Sequence, residues 1–387
     1  MAIKQTSPIS LSDLNLALGN AANTNISLGY MHSSIPQCLF DGTYPPNSST
    51  NSSLSNYLYK FTATQQGSKL VGTGYIGQSS QGYSVSMSAD GNTLAFGAPY
   101  DNNNLGAAWV FTRSGGTWTQ QAKLVGSGNS SSVVYQGASV SLSSDGNTLA
   151  VGGWSDSTYQ IGATWIFTRS GGTWTQQAKL VGTGGSGNIF QGWSVSLSAD
   201  GNTLAVGGPY DNQIGAIWIF TRSGGTWTQQ GSKLAGTGYA GYPRQGWSSS
   251  LSADGNTLAV GGYADNNSVG ATWIFTRSGG TWTQQGSKLV GTGYTGSPEQ
   301  GSSVSLSADG NTLAVGGSTN NSNASGAFWI FTRSGGIWTQ KTGPIFGSNY
   351  VGNTYFGYSV SLNSGENTLA VGGYADNNGN GSVWIFT

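Results

Sequence analysis

Apolar and polar residues alternate along most of this chain in a unit that recurs. In Ser194–Ser198, the apolar Val195 and Leu197 alternate with serines. This period of two predicts a β-strand with one buried face. Asp200–Asn202 then predicts a tight hairpin turn, because glycine and asparagine accept the positive φ that such turns require. The pattern continues into a second strand at Leu204–Val206.

Each unit contains two further strands. After a loop of variable sequence, Trp218–Phe220 alternates again, and Arg222–Gly225 turns the chain back into Thr226–Gln230. Four antiparallel strands joined mostly by short turns are typical of one β-propeller blade. A solenoid of parallel strands would not need two tight turns in every unit. Small residues on the first strand suit the axis, where strands converge, and large aromatic residues on strands three and four suit the wider gap between blades.

The unit occurs six times, with 54 to 56 residues between equivalent asparagines. Self-similarity at a fixed period is the mark of a repeat architecture. We therefore predict an all-β fold, a six-bladed β-propeller of four-stranded antiparallel blades. The equivalent asparagines are Asn92, Asn147, Asn202, Asn256, Asn311 and Asn367.

The two ends of the chain predict how the ring closes. The sequence stops at Trp384–Thr387, where the fourth strand of the last blade would begin. Near the other end, Phe61–Gly72 matches the fourth-strand sequence Gly280–Gly291. We predict that this N-terminal strand, about residues 59–70, closes the last blade and leaves no exposed strand edge at the seam.

Three regions follow from the limits of the repeat. Residues 1–44 lie outside it and are too short to bury a core alone. Residues 45–56 are rich in Pro, Asn, Ser and Thr, which predicts a polar, flexible linker. Residues 57–387 are the predicted propeller.

Composition excludes several classes of protein. Charged residues make up 7% of the chain and the formal net charge is zero, which argues against nucleic acid or an anionic membrane as a partner. No apolar run approaches the ~20 residues needed to span a bilayer, so we expect no membrane insertion. Met1–Lys4 lacks the apolar region of a secretory signal peptide. The single Cys38 rules out an intramolecular disulfide.

The repeats resemble a known family. Phe356-Gly357 and Gly97–Pro99 match the two halves of the FG-GAP motif, and Gly-Ala-x-Trp-x-Phe is similar to the Gly-Ala-Val-Tyr-Val-Phe of that family. The propeller region thus resembles the FG-GAP repeats of integrin α-chain propellers. Five repeats differ in having Gln before the first glycine, and most have Gly-Gly for Gly-Ala. Kelch propellers, with Gly-Gly pairs and a later Trp, are the alternative within the same architecture.

The N-terminal segment carries a second resemblance. Ile9–Gly19 together with Ile26–Leu28 resembles an N-terminal stretch of tail and virion proteins of large phages and some large viruses. The resemblance implies that residues 1–44 attach the protein to other virion proteins and that it is located in the virion, at the particle surface or tail. Homo-oligomerisation through this segment is a further expectation.

Candidate metal sites are weak. The turn Ser88–Asn92 carries one carboxylate, whereas Ca²⁺ takes six to eight oxygen ligands, several of them carboxylates. A hairpin turn is therefore the favoured interpretation there. The loops Asp101–Asn104, Asp211–Asn212 and Asp265–Asn267 are richer in oxygen atoms, and weak cation binding at them stays open. We predict no metal site and no cofactor.

Candidate catalytic groups are also few. The only histidine, His32, lies near Cys38 in sequence, but nothing places the pair in a pocket, which favours packing roles. Sialidases are also six-bladed propellers and need arginines clustered on the axis. Here the repeated arginines share a rim with the turn aspartates, which predicts one Asp–Arg contact per blade, and Arg244 alone departs from the pattern. We predict no enzyme. The repeated arginines are Arg113, Arg169, Arg222, Arg277 and Arg333.

The copies differ mainly on one face of the predicted ring. Turns between strands one and two and between strands three and four are nearly identical, whereas the other two sets of loops differ in every blade. The variable loops carry Tyr and Trp among Asn, Ser and Gly, a composition shared with antibody combining loops. The alternative is that unconstrained loops drift and their aromatics only cap the blades. The candidate ligand-binding residues are Tyr100, Trp154, Tyr159, Trp193, Tyr210, Tyr242, Trp247, Tyr263 and Tyr374.

These observations together predict a virion-associated structural or adhesion protein of the tail-fibre or receptor-binding type. Its variable face would recognise a glycan or a protein receptor on a host surface, since aromatic faces and neutral amides suit the C–H faces and hydroxyls of sugars. A purely structural decoration or spacer protein of the virus particle is the main alternative. A propeller hydrolase is the second.

Overall fold

A computed structural model describes residues 66–319 and 325–387 of the chain, and Gln66–Thr387 form one compact unit. Residues 1–44, the linker 45–56 and the candidate residues His32 and Cys38 lie outside the described part. Predictions for them therefore remain predictions.

The described residues form six antiparallel sheets in which strands follow chain order from the inside of the ring outward. Five sheets have four strands, and the sixth has three among the described residues. The strands of the first three blades are β1 (Ser84–Met87), β2 (Thr93–Ala98), β3 (Ala107–Ser114), β4 (Thr117–Leu124), β5 (Ser139–Leu142), β6 (Thr148–Gly153), β7 (Ala163–Ser170), β8 (Thr173–Leu180), β9 (Ser194–Leu197), β10 (Thr203–Gly208), β11 (Ala216–Ser223) and β12 (Thr226–Gln229).

The second half of the ring repeats this order, and short helical turns follow the second strand of four blades. The strands are β13 (Ser248–Leu251), β14 (Thr257–Gly262), β15 (Ala271–Ser278), β16 (Thr281–Gln284), β17 (Gln300–Leu306), β18 (Thr312–Gly317), β19 (Ala327–Ser334), β20 (Ile337–Ile345), β21 (Ser359–Leu362), β22 (Leu369–Gly373) and β23 (Ser382–Phe386). The helical turns are α1 (Asp101–Asn104), α2 (Asp265–Ser268), α3 (Asp376–Gly379) and the 3-10 turn Asp211–Gln213.

The predicted fold class is confirmed: the protein is an all-β, six-bladed propeller built from antiparallel, four-stranded blades. The register within a blade follows the alternation of the sequence. In the third blade, Val206 of β10 pairs with Val195 of β9 on one side and with Trp218 of β11 on the other.

Serines of the first strands connect neighbouring blades near the axis. The N–H of Leu197 donates to Oγ of Ser141 in the preceding blade at 3.0 Å. The hydroxyl of Ser194 donates to the carbonyl of Gly246 in the following blade at 2.9 Å. The small residues predicted for the axis therefore both fit the narrow space and supply the polar contacts between blades.

A tryptophan on each third strand fills the space between blades. Trp218 is fully buried, and its Nε1 donates to the carbonyl of Thr183 at 2.8 Å. The connection between blades passes directly over this ring. A Cβ added to Gly182 would lie only 2.1 Å from Cδ1 of Trp218. Only glycine fits that approach, which explains the glycine after each fourth strand.

The junction between the first and sixth blades differs from the other five. Val85 and Met87 of β1 are 66% and 54% exposed, whereas their counterparts Val140 and Leu142 of β5 are each 8% exposed. Across this junction, Ser361 of β21 lines an open cleft beside β1. No serine-to-backbone bond joins the two first strands here, within the described residues, although such bonds join the other neighbours.

In the other blades, the fourth strand contacts the blade that follows it. Residues 66–70 make the equivalent contacts with the first blade. Oε1 of Gln66 accepts from Nη1 of Arg113 at 3.0 Å and from Nε1 of Trp118 at 3.3 Å. Gln121 of β4 receives the equivalent two bonds from the second blade. Leu70 packs on the core of the first blade. The predicted pairing of about residues 59–70 with β23 is not shown, and residues 59–65 lie outside the described part.

Candidate functional site: an aromatic array on the variable face

The near-identical turns, between strands one and two and between strands three and four, lie on one face of the ring, which we call the uniform face. Its arginines bond to asparagine and glutamine side chains rather than to aspartates. Nε of Arg222 donates to Oδ1 of Asn202 at 2.9 Å. Its Nη1 donates to Oε1 of Gln177 in the preceding blade at 3.2 Å, and its guanidinium lies 5.3 Å from the ring centre of Trp227. The expected Asp–Arg contact is therefore wrong, because the turn asparagine and a neighbouring glutamine take the guanidinium.

Hydrogen bonds lower the pKa of the turn aspartates. The Ser88 hydroxyl and then the backbone and side-chain amides of Asn92 hold the pKa of Asp90 at about 2, below its ordinary value of 3.8. At Asp200, burial raises the pKa, but bonds from Ser198 and Asn202 outweigh it and the pKa is lowered. These carboxylates are therefore structural acceptors of the turn.

The oxygen-rich loops suggested as weak cation sites are each built around a buried aspartate. Oδ1 of Asp211 accepts the N–H of Ser186 at 2.7 Å, and its Oδ2 contacts the ammonium group of Lys233. Lys123, Lys179 and Lys288 contact equivalent aspartates in three further blades. The lysine ammonium supplies the positive charge at these four carboxylates. In the described part of the chain, no three His, Cys, Asp or Glu residues are grouped as metal ligands would be.

Three positions in each blade converge on the variable face, around the first strands that line the axis. One precedes the Gln-Gly or Phe-Gly that enters the first strand, one follows that glycine, and one is the first or second residue after the second strand. In the third blade these positions carry Phe190, Trp193 and Tyr210. Trp193 and Tyr210 are partly buried, with part of each ring open to solvent.

The first of these positions has a backbone conformation that its side chains do not favour. All six copies have left-handed φ, between 51° and 62°. This region costs a residue with a Cβ about 1–2 kcal/mol, so glycine or asparagine would suit the backbone better. The identities of these side chains are therefore not explained by the fold. They are Ser80, Tyr135, Phe190, Arg244, Glu299 and Tyr355.

Aromatic residues from these positions form a chain of ring contacts across four blades, which we call the aromatic array. Centroid distances between contacting rings range from 4.2 Å, for the stacked pair Tyr135 and Trp154, to 6.5 Å, for Phe190 and Trp193. Trp193 and Trp247 are 4.5 Å apart across the third and fourth blades. The array comprises Tyr83, Tyr100, Tyr135, Trp154, Phe190, Trp193, Tyr210, Trp247 and Tyr263.

A second group of rings lies on the sixth blade. Tyr374 is 4.9 Å from Tyr355 and 4.7 Å from Tyr358 between ring centres. Burial, followed by Tyr355 and Tyr358, raises the pKa of Tyr374. The pKa of Tyr83 is likewise raised, first by burial and then by Tyr358. The phenol groups of Tyr83 and Tyr374 therefore remain protonated donors at neutral pH.

The structure brings together seven of the nine candidate residues. Tyr100, Trp154, Trp193, Tyr210, Trp247 and Tyr263 lie in the array, and Tyr374 lies in the sixth-blade group. The other two stand apart: Tyr159 is 72% and Tyr242 is 60% exposed, and neither contacts another ring in the described residues. That any of the nine binds a ligand stays a prediction.

Several members of the array were absent from the sequence-based candidates. The sequence did contain a signal, because each of these residues lies directly before or directly after the Gln-Gly or Phe-Gly that enters a first strand. Comparing these two positions across the six copies would have selected the residues together. The additional members are Tyr83, Tyr135 and Phe190, and the same comparison would have selected Tyr355 and Tyr358 of the sixth-blade group.

The array combines apolar surface with hydrogen-bond donors. Its rings offer flat apolar surface, and the phenol and indole groups add hydrogen-bond donors at low conformational cost. The fifth blade interrupts the aromatic surface with Glu299, Ser302 and Ser318, where Oε2 of Glu299 accepts from the Ser318 hydroxyl at 2.7 Å. The face therefore combines a broad aromatic sector with one polar sector.

Comparison with known proteins supports the propeller and its repeats. A family model described as the FG-GAP repeat matches residues 174–220, about one repeat of the chain. No curated protein matches it. Among solved structures, the chain is similar to Kuenenia stuttgartiensis hydrazine synthase, with 14% identity and a TM-score of 0.50, over 80% of this chain and 78% of that chain. At this identity, the likeness shows the fold alone.

Proposed function

We propose that this propeller is a recognition module that binds a surface glycan through the aromatic array. The observation that carries the proposal is the contact chain of nine rings from Tyr83 to Tyr263, in which Tyr135 and Phe190 occupy left-handed backbone positions. Clustered aromatic side chains that remain partly open to solvent, and side chains held in unfavourable backbone conformations, are both typical of binding surfaces. Sugars match them, since a pyranose ring presents a C–H face to stack on an aromatic ring.

Binding of the full-length chain to immobilised oligosaccharides tests this function. We expect the wild-type chain to bind at least one glycan. The double variant Trp193→Ala, Trp247→Ala should lose at least tenfold in affinity, about 1.4 kcal/mol. The matched control Tyr159→Ala, Tyr242→Ala removes two exposed rings outside the array and should bind like wild type. Loss of binding in the control alone would place the site elsewhere.

The alternative of a purely structural decoration or spacer protein makes the opposite prediction. It requires no glycan binding by the wild-type chain, and no effect of the array variants on the protein's association with its assembly. A protein receptor in place of a glycan would show as array-dependent binding to protease-sensitive sites on cells.

The remaining parts of the functional hypothesis rest on residues 1–44. Attachment to other virion proteins, location in a virus particle and homo-oligomerisation are proposals of this kind. Deletion of residues 1–44 should abolish incorporation into particles, and normal incorporation of the deleted chain would contradict attachment. That the protein is neither an enzyme nor dependent on a cofactor also stays a prediction.

A further inference from the structure

Arg244 is unlike every other described arginine of the propeller. The repeated arginines are fully engaged on the uniform face, as Arg222 is with Asn202 and Gln177. The Arg244 side chain has no hydrogen bond or ion pair within residues 66–319 and 325–387. Its contact is with the ring of Tyr210, whose centre lies 4.2 Å from the guanidinium carbon. A stacked but unpaired guanidinium keeps its hydrogen-bond donors available.

The position of Arg244 directs this free cation to the aromatic array. Arg244 occupies the left-handed position of the fourth blade, with φ of 62°. Its carbonyl accepts the N–H of Trp247 at 3.1 Å, which places the two residues in one tight turn. Trp247 contacts Trp193 and Tyr263, each at 4.5 Å between ring centres. A ligand stacked on these rings would therefore lie beside the guanidinium.

The chemistry of the guanidinium selects the complementary group. Its planar fork of N–H donors matches a carboxylate, with which it forms two parallel hydrogen bonds. Partial burial against Tyr210 reduces competition from water, and a charge-assisted pair in such a place is stronger than one on an open surface. The combination of stacking rings and one free guanidinium is thus suited to a sugar that carries a carboxylate.

Glu299 limits how much negative charge the ligand can carry. It occupies the equivalent left-handed position of the fifth blade, with φ of 58°, and both Glu299 and Arg244 act electrostatically on Tyr263. A polyanionic chain running from Arg244 toward the fifth blade would meet this carboxylate. A single acidic sugar would not, because hydroxyls of its neighbours can donate to Glu299.

We propose that the variable face binds a glycan containing an isolated acidic sugar, a uronic or sialic acid, whose carboxylate is held by Arg244. Its ring and the neighbouring sugars stack on Trp193, Trp247 and Tyr263. This inference rests on the proposed glycan-binding function and assigns the chemical class of its ligand.

Paired probes test the assignment on the full-length chain. Titration calorimetry would compare 3′-sialyllactose with lactose, and trigalacturonic acid with its methyl ester. We expect at least one acidic probe to bind about tenfold or more tightly than its neutral partner, the size expected for a bidentate charged pair. The sulfated analogue 3′-sulfolactose should bind more weakly than the carboxylate.

Variants of Arg244 connect the preference to this residue. Arg244→Gln should lose the discrimination within each pair while still binding neutral sugars, and Arg244→Lys should restore part of it, because the charge remains but the fork is lost. Lys341→Gln is the matched control, since it removes one exposed positive charge on β20 and should leave the preference unchanged. Thermal unfolding of each variant should match wild type.

The outcomes separate the two hypotheses. If wild type binds neutral and acidic probes equally while Trp193→Ala still weakens binding, the assignment to Arg244 is overturned and the glycan-binding function stands. A preference for the sulfated probe, or retained discrimination in Arg244→Gln, also overturns the assignment. If no probe or arrayed glycan binds, the proposed function fails and the inference falls with it.

Discussion

Nζ of Lys123 lies 2.6 Å from Oδ2 of Asp101, whose other oxygen accepts the N–H of Ile76 at 2.7 Å. The fourth strand of a blade is thereby tied to the loop that leads into its third strand. Three more blades repeat the pair. In the sixth blade the equivalent Asp376 contacts the hydroxyl of Ser382 instead, and the lysine at the matching sequence position is Lys69.

This relationship predicts how the sixth blade is completed. Because Lys69 follows the same Gln-Gln-Gly-Ser sequence as Lys288, we expect it to pair with Asp376 when residues 66–70 add to β23. Leu70 would then lie opposite Val383, as Leu234 lies opposite Ile217. In a Cys38→Ser chain, the pair Leu70→Cys, Val383→Cys should form a disulfide within one chain upon oxidation, seen by non-reducing electrophoresis and peptide mass spectrometry.

The chain offers a positive control for this cross-link. Ile217→Cys with Leu234→Cys joins two positions that are paired in the structure and should cross-link under the same conditions. Cross-linked dimers from the test pair would mean that a second copy supplies the strand. Failure of the test pair to cross-link, alongside success of the control, would show the closure prediction to be wrong.

The glutamine that distinguishes these repeats from the usual motif should be important for stability. Gln191 is fully buried. Its Oε1 accepts the N–H of Gly182 at 2.6 Å, and its Nε2 donates to the same residue's carbonyl at 2.8 Å. Gln191→Met keeps the side-chain volume but leaves both backbone groups unpaired, so we expect urea unfolding to show a loss of about 2–4 kcal/mol.

The first blade provides the comparison for this effect. Gln81 makes the same two bonds to Gly72 but is only partly buried. Water can replace its bonds more readily, so Gln81→Met should cost less than Gln191→Met. Equal losses at the two sites would argue against burial of unpaired groups as the cause.

At the left-handed position before the Gln-Gly, the effect of the backbone on stability can be separated from the effect of the side chain. Tyr135→Gly and Tyr135→Ala both remove the ring, but only alanine retains a Cβ at φ of 59°. The glycine variant should therefore be more stable than the alanine variant by about 1 kcal/mol in chemical denaturation. At Thr228, an exposed position of β12, the order should reverse, because glycine weakens a strand. The same order at both positions would contradict a strained backbone at Tyr135.

Acid should destabilise the propeller through its turn aspartates. A carboxyl whose pKa is lowered by folding stabilises the protein above its unfolded value and loses that contribution as pH falls through the folded value. For Asp90 that window runs from 3.8 to about 2, and Asp145, Asp200 and Asp254 are also lowered. We expect the free energy of unfolding to fall as pH decreases below about 4, measured by denaturation at successive pH values.

The sixth blade shows that an amide oxygen can accept the N–H groups of this turn. There Oδ1 of Asn363, which occupies the position of Ser88 and Ser143, accepts the N–H groups of both Asn367 and Thr368. Replacing Asp145, Asp200 and Asp254 by asparagine should therefore flatten the acid limb of the stability profile. Asn363→Ala should instead lower stability equally at every pH. An unchanged acid limb in the triple variant would assign the acid sensitivity to other groups.

The sequence by itself determined the blade. Alternation in Ser194–Ser198 fixes which side chains face the core. Asp200–Asn202 favours a tight turn, because glycine and asparagine accept positive φ. The fixed spacing of equivalent asparagines determines that six such units follow one another. These are local properties, because each depends on residues within a few positions of one another and on the two-residue period of a strand.

Only the tertiary structure decided which side chains meet. Trp193 and Trp247 lie one full repeat apart in sequence. Their contact depends on how neighbouring blades are oriented around the ring, and a local sequence pattern does not specify that orientation. The same holds for Lys233, whose ammonium group supplies a positive charge in a loop that looked suited to a metal ion, and for Arg222, which contacts Asn202 rather than an aspartate. Such contacts depend on the relative placement of strands, and that placement is fixed by packing around the ring.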